Sequence, residues 1–250
     1  MSRNLNSDRG GGLVVVLLAI LGTGCAPSRP AAPELPGLEP TAVVAAVRAG
    51  EERIATLRAR FSAAARRGGE HHSTTGVLLV KKPDRFRLRM MLPLGLTVFD
   101  YVRWGEQAQL SLPLQGQVVT GSAAETAAGF SNADLGQAFL RGPAAFPGAC
   151  TPEDDRGPVI VVSCRDAGGQ VLRRLRIDRA HATIGEETSY EAGEPRLILR
   201  YDDYRPVGDA ELPYRIALLY PARDVALEIA IQRYEVNPVL ADELFQPAAP

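Results

Sequence analysis

Between Leu212 and Tyr234 the chain reads LPYRIALLYPARDVALEIAIQRY. Tyr214, Ile216, Leu218 and Tyr220 occupy alternate positions, and so do Val225, Leu227, Ile229 and Ile231. Successive side chains of a strand point to opposite faces, so each run is a strand with one apolar side. Two such strands in succession need a third element to cover their shared oily face. This rhythm limits what the rest of the chain can build.

The rhythm recurs upstream. STTGVLLVKKP and DRFRLRMML are separated by the turn pair Pro83-Asp84, and QAQLSLPL places Ala108, Leu110, Leu112 and Leu114 on one face. PVIVVSC, QVLRRLRID and PRLILRYDDY continue the series. Strands do not alternate with helices, which excludes a parallel sheet. One helix is expected after Thr41, a capping residue, with Val43, Val44, Val47, Ile54 and Leu57 at helical spacing, giving way to a strand near Leu57. A second is expected from Asn132, with Leu135, Phe139 and Leu140 as its stripe and Gly142-Pro143 as its stop. The expected fold class is α+β, mainly β: one antiparallel, strongly curved open sheet of about ten strands, with the helices as a lid on its concave side. A sheet this wide curls rather than lying flat. Either the helices fill the concavity or a hydrophobic cavity remains for an apolar guest. Its expected lining is Phe86, Leu88, Met90, Leu110, Leu112, Leu197, Leu199, Ile216, Leu218, Leu227 and Ile229. Inward charges are few in this alternation, which favours an oily interior over a catalytic cleft.

Lys and Arg number 28 and Asp and Glu 29 in the 250 residues. So even a balance gives no electrostatic footprint for nucleic acid. The beginning is read separately. MSRNLNSDRG carries Arg3 and Arg9, GGLVVVLLAILGTG is a short apolar run, and Cys25 follows. This is the pattern of a secretory signal, too short to span a bilayer comfortably. LGTGCAP resembles a bacterial lipobox, although Leu21 stands one place further from the cysteine than usual. On that reading residues 1–24 are removed and Cys25 is lipidated. An ordinary signal with an incidental cysteine is the alternative. Among bacterial lipoproteins an Asp after the cysteine marks retention in the inner membrane. This chain has Ala26 there, which implies the outer membrane, facing the periplasm. Residues 25–40 form a Pro/Ala-rich tether, and 41–250 the folded domain. Cys150 and Cys164 remain. In an oxidising compartment they read as a disulfide, with two buried thiols as the alternative.

The order of these segments resembles a known family: the helix, LRARFSA, the hairpin ending KKPDRFRLRM, LPLGLTVFDY, LGQAFLRGP and the closing LPYRIALLYPARDVALEIAIQRYEVNPVLADELFQP. The resemblance, over roughly residues 45–247, is to the outer-membrane lipoprotein-sorting proteins, the periplasmic carrier LolA and the anchored receptor LolB. It implies an incomplete β-barrel with a helical lid whose cavity holds the acyl chains of a lipoprotein cargo. It also implies a LolA-like carrier as partner. Lipidation tilts the resemblance toward the LolB side. So does Pro93-Leu94-Gly95 beside Leu96, which matches a protruding loop whose exposed leucine helps insert cargo. On that reading Leu94 and Leu96 form a membrane-insertion hook, and the alternative folds both into the hairpin core. The same scaffold also serves envelope lipoproteins that sense or scaffold by binding another lipid or a protein. A monomer without cofactor is expected.

Other constellations point to no chemistry. His71 and His72 are adjacent and diverge on a strand, and His181 stands alone, so no metal site is expected. Asp154-Asp155 and Asp202-Asp203 diverge likewise. There is no Gly-x-Ser-x-Gly elbow and no phosphate-binding Gly-rich loop, and no enzymatic activity is expected. Arg85, Arg87 and Arg89 read as a solvated row, with contact to anionic head groups or to a carrier protein as a lesser reading.

Overall fold

The structure, a computed structural model, describes residues 39–122, 138–139, 149–154 and 157–246. Residues 1–38, which include the expected signal, Cys25 and most of the expected tether, lie outside them, as do 132–137 and 140–143 of the expected second helix.

The described residues form one helix, α1 (Pro40–Glu52), and thirteen strands. The first six are β1 (Thr56–Arg67), β2 (Glu70–Lys81), β3 (Arg85–Met91), β4 (Thr97–Trp104), β5 (Gln107–Leu112) and β6 (Gln117–Ser122). Then follow β7 (Ala149–Asp154), β8 (Val159–Arg165), β9 (Val171–Asp178), β10 (Thr183–Glu191), β11 (Glu194–Val207), β12 (Ala210–Tyr220) and β13 (Val225–Val236). All belong to one sheet in the order β6-β5-β4-β3-β2-β1-β13-β12-β11-β10-β9-β8-β7. Every pairing is antiparallel. Short turns make this possible. Gly68 and Gly69 join β1 to β2, both at positive φ, as a two-residue hairpin turn requires.

The strand count corrects the expected ten. The alternation did not reveal β6, β7 and β10: β6 and β7 are the two edges of the sheet, and in β10 a register shift at Gly185 breaks the period. An edge strand lacks one neighbour and needs little apolar pattern: β6 is largely exposed, and β7 carries Pro152, which an edge tolerates.

The first and last strands pair along almost their whole length, from Leu57 opposite Val236 to Arg67 opposite Val225. One continuous core cluster joins the inner faces of β1–β5 and β8–β13 to Val43 and Val47 of α1 and to Phe139. A flat sheet of thirteen strands would be about 58 Å wide at about 4.8 Å per strand. A helix about 10 Å across covers little of that width. Leu88 on β3 and Ile177 on β9 are nonetheless both fully buried in the same core cluster, so the sheet curls.

α1 starts one residue before the expected cap. Pro40 occupies the first helical position, where its fixed φ is favoured, and Glu39 makes no side-chain capping bond. Ile54 and Leu57, expected on the helix, lie beyond its end. Ile54 is buried in the connection, and Leu57 is the first inward residue of β1. Lys82 Nζ donates to the Glu51 carbonyl at the end of α1, 2.6 Å away. Burial lowers the Lys82 pKa, and Glu51 and Glu52 oppose that shift. Leu114 also departs from expectation. Pro113 ends the β5 ladder, and Leu114 sits exposed in a 3-10 turn, Pro113–Gln115.

The outer face has its own small core, invisible to the alternation. After β13 the chain turns at Asn237, whose Oδ1 accepts from the Ala55 N–H at 2.8 Å and whose Nδ2 donates to the Arg53 carbonyl at 2.9 Å. It then crosses the outside of β2 and β3, where Leu240 and Phe245 bury against Leu79 and Val77. Lys81 Nζ binds the Leu240 carbonyl and Asp242, and Arg87 donates to the Leu244 carbonyl at 2.8 Å. The hydrogen bond from Lys81 holds the Asp242 carboxyl below its ordinary pKa. The arginine row is therefore not a bare solvated face: Arg87 and Arg89 both bind Asp100, each with a contact of 2.7 Å.

Phe245 is fully buried and anchors this strap. Phe245→Ala is expected to lower stability by about 3 kcal/mol or more in urea unfolding, in the range of large-to-small core substitutions.

Candidate functional site

Ladder register decides which side chains share the concave face. Phe86, Leu88 and Met90 of β3 stand opposite Val80, Leu78 and Gly76 of β2. Leu199 lies opposite Leu218, and Leu218 opposite Leu227, while Ile216 and Ile229 form the next row. Leu110 stands opposite Tyr101, with Leu112 two residues on, and Leu197 two residues from Leu199. The structure thus brings every expected lining residue to one face.

These residues do not share one environment. Leu88, Leu197, Leu199, Ile216, Leu218 and Ile229 are buried, in one core cluster with Val43 and Val47 of α1 and with Phe139. Met90, Leu110 and Leu112 are only half-buried. With Phe99 of β4 and Val119 of β6, which is 49% exposed, they form an apolar strip along the inner side of β3–β6. Leu88 and Tyr101, in the same row as Leu110, are closed, and so is Ala108, two residues further in from Leu110. The strip lies toward the sheet end where β3 and β5 finish, which is the end that carries Leu94.

Phe99 was legible in principle, since it alternates with Tyr101 beside the polar Asp100. Val119 was not, because its strand was not recognised. Beside the strip, β1 presents Ala63 and Ala65 inward, short side chains that leave room between β13 and β3. Gly76 is needed on this face. The Phe61 ring lies where a Cβ at Gly76 would stand, and it packs on Phe139 with ring centroids 5.4 Å apart. Beyond Ala65 the same face turns polar, with Arg67, Glu70 and His72 at the rim.

The expected hook residues are exposed. Leu94 is wholly exposed at φ 74, in the left-handed region, inside a tight turn from Pro93 to Gly95, and Leu96 is 52% exposed. Leu92 N–H donates to the Leu96 carbonyl at 2.9 Å, which closes the loop and holds Leu94 outward. Neither leucine folds back into the hairpin.

Cys150 and Cys164 face each other across β7 and β8 and form a disulfide, with Cα atoms 4.0 Å apart. It cross-links the edge strand to its neighbour. Nearby, sequence reasoning missed a charged pair on the inner face: Arg173 and Glu187 meet at 3.1 Å, with the Glu187 side chain fully buried. A bulge at Gly185 is the cause. Ile184 faces inward opposite Ile177, the register then shifts, and Glu187 and Ser189 take the inward positions in place of Glu186 and Thr188.

At the opposite end of the sheet a cleft of about 290 Å³ opens beneath the second half of α1, between the β9–β10 and β11–β12 turns. Val47, Ile54, Ile184 and Leu212 form its buried part, and Arg53 and His181 lie at its edge. His181 contacts Asp178 at 3.0 Å, and the His71-His72 pair is exposed at the start of β2. Among the described residues no cluster of three or more His, Cys, Asp or Glu is placed to hold a metal. Asp202 and Asp203 do not converge. Asp203 is bound by Arg205, whose hydrogen bond lowers its pKa, and Asp155 lies outside the described residues.

No family model and no curated protein matches the sequence. The fold does match solved structures. A domain assigned to outer-membrane lipoprotein sorting, from Vibrio parahaemolyticus, superposes with a TM-score of 0.61 at 15% identity, over 82% of this chain and 94% of that one. A LolA-superfamily protein from Nitrosomonas europaea gives 0.58 at 13% identity, over 81% and 97%. A DUF1329-family protein from Desulfovibrio piger gives 0.61 at 12%, over 82% and 95%. At these identities the likeness is one of fold: an open antiparallel sheet with a helix across its concave side.

The buried Arg173–Glu187 pair yields a direct expectation. Glu187→Leu alone leaves a buried cation and lowers stability by about 3–5 kcal/mol in urea unfolding, whereas the double variant Arg173→Leu/Glu187→Leu recovers most of that loss.

Proposed function

We propose that this chain is an outer-membrane lipoprotein, anchored through Cys25, that takes up acyl chains of other lipoproteins on its concave face and releases them into the membrane. The apolar strip of Met90, Phe99, Leu110, Leu112 and Val119 carries the proposal, because it opens at the same end as the outward Leu94. The shared fold with a domain assigned to lipoprotein sorting supports it. A soluble LolA-like carrier would deliver the cargo.

The energetics suit a transient host. Each buried CH₂ contributes roughly 0.8 kcal/mol, so a chain covered only in part on a half-open strip is held moderately and can be passed on. Deeper binding would require the buried cluster around Leu88 to open. No bond is made or broken, so transfer needs differential burial between carrier, strip and bilayer, not a catalytic group. The polar rim at Arg67 and His72 suits the head of the cargo. Leu94 and Leu96 would enter the membrane. Each contributes roughly 1.5–3 kcal/mol, enough to dock a mouth but not to anchor a protein.

One observation favours a second reading. The deep interior is already closed: its side chains form one buried cluster with Val43 and Val47 of α1 and with Phe139. If that cluster stays closed, the scaffold senses or binds another lipid or a protein partner at its surface.

The two readings separate experimentally. Organic extracts of the purified Cys25→Ala protein, analysed by mass spectrometry, are expected to contain fatty acyl chains; their absence supports the second reading. Leu94→Glu/Leu96→Glu should leave the circular dichroism spectrum unchanged and slow transfer of an acylated cargo to vesicles about tenfold or more, the equivalent of one buried leucine. Undiminished transfer would remove the hook.

A further inference from the structure

Seven large apolar side chains are exposed among the described residues, and five of them, Leu94, Leu96, Leu114, Val118 and Val119, fall within one short segment. Leu94 and Leu114 sit on different hairpins. β3 and β5 both run antiparallel to β4, so the turns that follow them lie at the same end of the sheet. Both turns are of Pro-Leu type and both are hydrogen-bonded. The Gly95 N–H donates to the Leu92 carbonyl at 3.1 Å, and the Gly116 N–H to the Pro113 carbonyl at 3.2 Å. Each leucine is thus held out on a short, closed turn rather than on a long loop.

The hairpin behind Leu114 has an unusual composition. From Gln107 to Ser122 no residue is ionisable. At the same end of the sheet the β12–β13 turn carries Arg223 and Asp224, and the β8–β9 turn carries Asp166. An uncharged hairpin with exposed leucine and valine is disfavoured at a surface that meets only water. Leu112 and Leu110 continue inward from Leu114 into the half-buried strip, so an apolar track runs from the turn to the concave face. The β1–β2 turn beside these hairpins carries Arg66 and Arg67 against a single Glu70.

We infer that the β5–β6 turn, through Leu114, is a second point of membrane contact. Together with the Leu94 loop it seats the mouth of the apolar strip against a bilayer containing anionic phospholipid. The inference rests on the membrane reading of Leu94 given above and extends it. One point leaves the domain free to pivot on its tether, whereas two points on neighbouring hairpins fix which way the strip faces. A lipid surface accounts for both turns. A partner strand added to the β6 edge would cover Val118 and Val119 and leave Leu94 in water. The arginines of the β1–β2 turn complement anionic head groups.

The test uses the full acylated chain in vesicles of phosphatidylethanolamine with a minority of phosphatidylglycerol. Leu94→Cys, Leu114→Cys and Glu106→Cys are each labelled with an environment-sensitive dye. Glu106 lies in the β4–β5 turn at the opposite end and serves as reference. Blue-shifted emission, quenched by brominated lipid tails, is expected at 94 and at 114 and not at 106. Quenching at 94 with aqueous emission at 114 overturns the second contact and leaves the hook intact. Aqueous emission at both overturns the hook as well. A blue shift at 114 without lipid quenching places a protein there and overturns the inference.

Discussion

The pairing of β1 with β13 determines where the sheet is open. It ties the start of the folded domain to its end along eleven facing residue pairs, Leu57–Val236 to Arg67–Val225. With its two terminal strands joined, a meander of this kind can break only in the middle of the chain, between β6 and β7. The apolar inner face is therefore continuous through the best-patterned strands and thins toward β6. The half-exposed strip lies beside that edge, and the uncharged hairpin is part of it.

Packing of the concave face sets a limit on what it can hold. Phe61 fills the space over Gly76 and meets Phe139, and α1 lays Val43 and Val47 on the same cluster. The centre is thus occupied by the protein's own side chains among the described residues, and the accessible apolar surface is peripheral. A host with a shallow strip and a coverable interior binds in stages. The strip accepts a chain first, and opening of the buried cluster would admit more of it. The buried Arg173–Glu187 pair adds a polar feature to the β9–β10 side of this interior.

Much of this was legible in the sequence. The alternating runs at 86–90, 110–112, 197–199, 216–218 and 227–229 place their side chains on one face, because period-2 patterning survives wherever the ladder is regular. It fails where the ladder is not. At Gly185 a bulge exchanges inward for outward positions, so Glu187 reads as a surface residue and is fully buried. On β13 a shift beside Phe61 brings Tyr234 inward rather than Arg233. The same bulge hid β10 as a strand, and the edge strands β6 and β7 escaped because an edge requires no second apolar face. The strap ending at Phe245 escaped because its burial depends on the outer side of β2, which pattern alone marks as solvated. The apolar loop at 92–96 was conspicuous for the opposite reason: a run of leucines in a turn breaks the rule that turns are polar, and the structure leaves Leu94 in the open.

The central claim is that the strip beside the open edge is a seat for a hydrocarbon tail. It is tested most directly by photocrosslinking a diazirine-bearing palmitoyl peptide to the protein and mapping the modified residues by mass spectrometry. The account predicts adducts at Met90, Phe99, Leu110 and Leu112, lost in competition with unlabelled palmitoyl peptide. Adducts confined to the cleft beneath α1 or scattered over the outer face would contradict it.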